Sequence, residues 1–499
     1  MLPVIVFLPA AAALALLALP RRVPRTVFVW AWIGVSAADV TLVGAAWVGY
    51  DPRAGFGWTE NTAWIPTVGI RYHVGVDGLS LPLLAMTAVL FLMAAVYSLR
   101  ETRRVRSYVC LFLFLQTVSL GLFAALDLIV FFVFFDLSIV GMYFVIAGWG
   151  HGEAARAAAL KFFLYTFTGS LALLLGFIGL YLAARPHTFD MVTLIRANPL
   201  AGRGAYGGLV LLAVAAGLAV KTPTVPFHTW LPPAHTEAPA AGSAILAGVL
   251  LKMGTYGFVR IAMPMLPGQW RRYALVFVVI GVVSAVYGAL VALAQASFKR
   301  MIAYTSVNHM GYILLGAGAA GILAGTSAQA RSLAVTGAVT QMVSHGLLTG
   351  ALFLLSGVLF DRGHTYDMAA YSGLAGRTPV FAGLTAVAAF GSLGIPAMSG
   401  FIAEFQIFTG SLASATAATA VAVLGILITA ALFLRALQRV FLGPLRRPGT
   451  PAAFRDLHPA EVASIAPLLA ASVAIGVAPR FLLDVIEPAA RTIITLVAR

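Results

Sequence analysis

Residues 220–252 read VKTPTVPFHTWLPPAHTEAPAAGSAILAGVLLK. Lys221 ends one apolar run and Lys252 lies deep in the next, with Pro223, Pro226, His228 and His235 between them. Proline removes a backbone donor and disturbs the preceding turn, so the segment predicts a broken helix with free carbonyls. At membrane depth such backbone is tolerated only against protein or water. Two lysines beside a helix break therefore predict an internal ionic site.

The rest of the chain sets that depth. Of 499 residues, 61% are hydrophobic and 10% charged, whereas soluble domains carry about 25% charged residues. Apolar runs of about 18–25 residues recur, each able to span a roughly 30 Å hydrocarbon core. The pattern predicts an all-α polytopic membrane protein with about fourteen transmembrane spans. They fall near 1–19, 27–49, 78–98, 108–126, 127–148, 160–184, 207–226, 239–262, 273–295, 300–322, 333–360, 380–411, 416–442 and 463–484. No basic residue precedes the first span, which predicts a retained helix and not a cleaved signal peptide. The longer loops, 50–77, 186–206 and 444–462, are too short for a separate soluble domain.

A second breaker, Gly391-Ser-Leu-Gly394-Ile-Pro396 followed by Gly400, falls in span 12, five spans after the break in span 7. That spacing predicts two inverted five-helix repeats, spans 4–8 and 9–13, with ion sites near the breaks. The predicted division is 1–107 (spans 1–3), 108–262 (first repeat), 263–442 (second repeat) and 443–499 (loop, span 14 and C-terminal tail). Loops after odd-numbered spans, with their flanking helix ends, carry 18 Lys and Arg against 9 for even-numbered ones. This bias places the odd loops in the cytoplasm and both termini on the outer face.

The net charge of +15 is accounted for by loop arginines that orient the spans, with no call for nucleic acid. The single cysteine, Cys110, excludes a disulfide framework, an iron–sulfur cluster and a cysteine zinc site. Neither a Walker motif nor a GxGxxG after a strand is present, which argues against a nucleotide site. Lysine usage is selective: the basic residues are arginine except at Lys161, Lys221, Lys252 and Lys299. A desolvated lysine can release its proton inside a protein, and arginine cannot. Lys161 and Lys299 sit at helix starts and are expected to snorkel to the interface.

Asp136, Lys221, Lys252 and Glu404 all fall inside predicted spans, with the two lysines about 20 Å deep at 1.5 Å per residue. One uncompensated charge there costs on the order of 2.5–3.5 kcal/mol, so each needs a partner, water or neutralisation. An Asp136–Lys221 pair would hold both groups charged, and separating them would let the lysine lose its proton. Lys252, Gln341, His345 and Glu404 could continue such a relay, with His228 and His309 as further candidates. An isolated intramembrane His or Gln reads as a static contact between helices, but four ionisable groups exceed what helix packing requires. Asp39 lies outside the predicted repeats and carries no assignment.

Several motifs carry a resemblance to a known family. They are Trp64-Ile65-Pro66, Asp77-Gly78-Leu79-Ser80, Gly141-Met142-Tyr143-Phe144 and Val220-Lys221-Thr222-Pro223. His228-Thr229-Trp230-Leu231-Pro232, Lys299-Arg300-Met301-Ile302-Ala303-Tyr304, Gln341-Met342-Val343-Ser344-His345-Gly346 and Gly400-Phe401 with Glu404 continue the series. From about 64 to 410 the chain resembles the antiporter-like membrane subunits of NADH–quinone oxidoreductase (respiratory complex I), most closely their M type, chain 4 in mitochondria. The resemblance implies fourteen spans, two inverted repeats, one proton channel and a bacterial inner-membrane location. It implies no cofactor in this chain, with flavin, iron–sulfur clusters and quinone in partner subunits, and L-type and N-type membrane-arm neighbours as partners alongside lipid. By motif match, Asp136 stands where the family has a glutamate paired with Lys221, Lys252 is the central lysine, and Glu404 is the acidic residue of the outward half-channel, where the L and N types would carry lysine. Two departures are Asp136 itself, shorter than glutamate by about 1.5 Å, and Ser297 where an acidic residue is usual.

These features support a redox-linked proton-translocating subunit. A subunit of a multi-subunit cation/proton antiporter, the membrane arm of a related hydrogenase or deazaflavin-dependent dehydrogenase, and a scaffold without pumping are the alternatives at this stage.

Overall fold

The computed structural model describes residues 1–20, 22–445 and 454–499; residues 446–453 of the 444–462 loop lie outside the described residues. The N-terminal part comprises α1 (Leu2–Ala18), α2 (Arg25–Val48), β1 (Gly57–Ile65), β2 (Ile70–Val76) and α3 (Ser80–Tyr97). Next come α4 (Val105–Ala124), α5 (Leu128–Trp149), α6 (Ala155–Ala183), α7 (Met191–Ala197), α8 (Gly204–Lys221) and α9 (Leu231–Glu237). Then α10 (Ala240–Ile245), α11 (Leu251–Gly257) and α12 (Met263–Met265) form one stacked rod, joined by π-helical turns at Leu246–Leu250 and Phe258–Ala262. The chain continues through α13 (Pro267–Leu293), α14 (Phe298–Ala319), α15 (Ala328–Gly363), α16 (Pro379–Ser392) and α17 (Ser399–Leu412). It ends with α18 (Thr416–Phe441), α19 (Pro459–Val477) and α20 (Arg480–Ala498). Among the described residues, eleven helices are long and apolar enough to cross a membrane, making this a mostly helical multi-span membrane protein.

Glycine stripes bring helices together where side chains would hold them apart. In α13 and α14, a Cβ on Gly281, Gly288 or Gly311 would come within 2.8 Å of the partner's backbone. Each proline- or glycine-broken span packs in the same way on the long helix of the span before it, α8 on α6 and α17 on α15. A Cβ on Gly217 of α8 would meet Gly169 O of α6 at 2.5 Å, and one on Gly410 of α17 would meet Ala334 N of α15 at 2.4 Å. Lipid offers no hydrophobic drive between helices, so this close backbone approach supplies the packing energy. The 36-residue α15 is buried along almost its whole length, as is the α10–α12 rod.

Two expectations need correction. The fold is not purely helical: β1 and β2 form an antiparallel hairpin pairing Asn61 with His73 and Thr62 with Tyr72, within the expected 50–77 loop. Nearly all of β1 is exposed, so its sequence lacks the alternation of a half-buried strand. The expected C-terminal tail is the helix α20, whose Leu482, Val485, Ile486, Ala490, Ile493 and Val497 are buried while Glu487 and Arg491 face outward. It is amphipathic, and its mixed composition hid it from a search for uniformly apolar runs. The breaks expected in spans 7 and 12 are present: α8 ends at Lys221, and span 12 is two helices separated by residues 393–398.

Candidate functional site

At the first break, α8 stops at Lys221 because neither Pro223 nor Pro226 can donate to the preceding turn. The freed Val220 carbonyl accepts from Trp230 Nε1 at 2.9 Å, and Val225 N donates to Ser284 Oγ at 2.9 Å. These bonds satisfy backbone that would otherwise be orphaned at membrane depth. Lys221 is buried at 1% exposure, donates to Ser138 Oγ at 2.8 Å and lies 4.9 Å from the centre of the Phe135 ring.

The expected Asp136–Lys221 ion pair is not formed: the two charges are not within 4.0 Å of each other. Helix geometry explains this. Phe135 and Ser138 are three residues apart and share a face of α5, whereas Asp136 is turned about 100° away from Phe135. Asp136 is half-buried, and its Oδ1 has no hydrogen-bond partner. Ser138 thus receives the ammonium that the sequence assigned to Asp136.

The second lysine sits in a row of ionisable groups. Lys252, at 0% exposure, donates to Ala247 O at 2.5 Å and lies 2.6 Å from His345 Nδ1. Ala247 belongs to the first π-helical turn, five residues earlier, where the wider winding turns its carbonyl toward the lysine. The His345 ring meets that of His309 edge-on at 5.3 Å. His309 Nε2 donates to Ser392 O at 3.1 Å and lies 3.8 Å from Glu404 Oε1. Ser392 is the last residue of α16, so the second break supplies an exposed carbonyl to this row. Gly394, at φ +75°, leaves room for the carboxylate: a Cβ there would sit 2.6 Å from Glu404 Oε2. Lys252, His345, His309 and Glu404 thus come together from the α11 segment, α15, α14 and α17.

The remaining candidates stand apart. His228 packs edge-on against Tyr287 at 5.1 Å, with Nδ1 unpartnered. Gln341 lies one turn before His345 on α15, 2% exposed, with an unpartnered Oε1. Asp39 is fully buried and accepts from Gln116 Nε2 at 2.7 Å, while Ser36 donates to the same glutamine. Lys161 is exposed, as snorkelling requires. Lys299 is not: it is at 0% exposure, donating to Ala238 O at 2.5 Å and to Tyr366 Oη at 3.1 Å. His235 was also passed over as a site. It is fully buried, its ring stacks on Phe353 at 4.4 Å, and neither ring nitrogen has a partner. Its place in the opening segment and the scarcity of lysine were the available signals for these two residues; nothing in the sequence marked Ser138.

The family model described as NADH:quinone oxidoreductase/Mrp antiporter, TM, matches residues 125–429. The chain is 36% identical over 497 residues to NADH-quinone oxidoreductase subunit M of Rickettsia conorii, covering 97% of each chain. It is similar in structure to a chain of respiratory complex I from Thermus thermophilus with bound NADH, at 28% identity and TM-score 0.88, each chain fully covered. A chain of the Mrp complex from Dietzia, at 22% identity and TM-score 0.86 over 99% of both, shares the fold. This chain belongs to the NADH:quinone oxidoreductase/Mrp antiporter family of membrane subunits.

Proposed function

We propose that the chain is the proton-translocating M-type membrane-arm subunit of an NADH–quinone oxidoreductase, part of a translocase with no redox centre of its own. Quinone reduction elsewhere in the complex shifts the electrostatic balance along the membrane arm. Lys221 gives up its proton toward Lys252, which passes it through His345 and His309 to Glu404 for release outside. Flavin, iron–sulfur clusters and quinone belong to partner subunits, and the neighbours are L-type and N-type chains. The carrying observation is the row of Lys252, His345, His309 and Glu404, four buried side chains ending at a helix break. Four such groups at membrane depth are far costlier than static packing needs.

The finer architecture of this reading is fourteen spans in two inverted repeats, with both termini on the outer face. The eleven long apolar helices are completed by α1, α14 and the broken pair α16–α17. In both proposed repeats the broken span packs through glycine on the long helix of the span before it, which supports the duplication.

The test is proton yield per electron in vesicles carrying the purified complex. Lys221→Met and Glu404→Gln are expected to abolish pumping linked to NADH oxidation while leaving the complex assembled. An unchanged yield in Lys221→Met would overturn the assignment. A cation/proton antiporter subunit, or the arm of a related hydrogenase or deazaflavin-dependent dehydrogenase, would instead co-purify without the flavin and iron–sulfur subunits of an NADH-oxidising module. Mass spectrometry of the mildly solubilised complex separates these.

A further inference from the structure

Lys299 is a buried ionisable group that the proposed relay leaves unused. The chain prefers arginine everywhere except at four positions, and Lys299 is one of them. It begins α14 yet reaches across to the end of α9, where Ala238 O accepts from it at 2.5 Å. Tyr366 Oη accepts from it at 3.1 Å, and the Tyr366 ring centre lies 4.8 Å away. Glu237 and Asp361 are the carboxylates that face it, half-buried and exposed respectively, and neither is within 4.0 Å. His151, in the loop before α6, feels its charge: burial first and then the Lys299 and Arg103 charges lower the His151 pKa to about 4.

The next group inward is His235, three residues before the carbonyl that Lys299 holds. The charges of both Lys299 and Lys252 act on its ring, neither lysine is within hydrogen-bond reach, and both nitrogens are unpartnered at 0% exposure. Leaving both nitrogens of a buried imidazole unsatisfied is costly, and a merely structural aromatic at this position would serve better as phenylalanine. The α9 C-terminus also presents partial negative charge to Lys299, so a cation suffices to cap it; a cap does not require one that can release its proton.

We propose that Lys299 and His235 form the inner entry segment of the proton path, a second donor to Lys252 beside Lys221, on the face opposite Glu404. In the first step an N–H bond of the Lys299 ammonium breaks to an intervening water, which gives up a proton of its own to form an N–H bond on a ring nitrogen of His235. The imidazolium then loses a proton, again through water, to the neutral amine of Lys252. Lys299 is reprotonated from the inner aqueous face past Glu237, and no electron is transferred. This rests on the relay proposed above.

The test compares Lys299→Arg, Lys299→Met and Lys299→His in the intact complex, reading assembly, NADH oxidation and vesicle acidification. Arginine keeps the charge and the donors but cannot pass a proton on. The expected result is assembled complexes in which Arg and Met lose pumping at least fivefold, while His retains it with an optimum moved to lower pH. Wild-type pumping in Lys299→Arg would overturn the inference, as would failure of all three to assemble, which assigns a packing role. Lys221→Met is measured alongside: if it pumps normally, the relay reading fails; if only Lys299→Arg pumps normally, the entry segment alone fails.

Discussion

Ser138, and not Asp136, holds Lys221 because the two α5 residues point to different sides of one helix. Removing the hydroxyl strands a buried ammonium, whose lost hydrogen bond costs about 1–3 kcal/mol. Ser138→Ala is therefore expected to lower the Tm of the purified complex. An unchanged Tm would mean Lys221 finds another acceptor, with Asp136 the nearest charge to offer one. Further along, His309 touches both the broken-helix carbonyl and Glu404. His309→Gln retains a donor for Ser392 but cannot carry a proton through. It should assemble normally and pump about a hundredfold less or worse, within the range lost when a general acid–base is removed. Normal acidification in this variant would remove His309 from the path.

The helix breaks set these positions. Gly394 adopts a left-handed backbone at φ +75° with Glu404 Oε2 against the space a Cβ would take. Gly394→Ala adds strain of about 1 kcal/mol and also pushes the carboxylate from His309. Its predicted signature is a larger loss of pumping than of thermal stability; equal losses would mean the glycine serves folding alone. The hairpin is anchored differently, by His73 Nδ1 against Asp190 Oδ2 and by Leu126 N donating to His73 O at 2.8 Å. Burial raises the Asp190 pKa, but hydrogen bonds from His73 and Thr193 outweigh it, so the carboxyl ends below its usual value. A depressed acid contributes stability above its unfolded pKa, about 3.9, and that contribution is lost as pH falls through the folded value. Amide-exchange protection of residues 57–76 should hold from pH 7 to about 5 and weaken below about 4. In Asp190→Asn that acid-dependent step should vanish.

At the level of the whole chain, the loop-charge bias and the duplicated breaks predict one topology. Cys110 is buried, so replacing it with serine leaves a background for single introduced cysteines. Arg203 and Arg103 are both exposed and lie in an even-numbered and an odd-numbered loop. A membrane-impermeant maleimide applied from outside should label Arg203→Cys and spare Arg103→Cys. The reverse pattern would invert the proposed path, with Glu404 facing the cytoplasm.

Composition alone determined that the chain belongs in a membrane, because a 10% charged sequence cannot solvate a surface of this size. Apolar periodicity set most helix boundaries, and proline and glycine located both breaks, because these residues act on their own backbone. Charges inside apolar runs picked out Lys221, Lys252 and Glu404. What the sequence could not decide was who meets whom. The lysine–serine contact, the histidine row and the burial of Lys299 depend on the rotation of one helix against another. That rotation is set by glycine contacts between distant segments, such as Gly410 against Ala334. The hairpin and α20 escaped detection for a related reason: each is defined by the surface it covers, and that surface exists only once the other helices have packed.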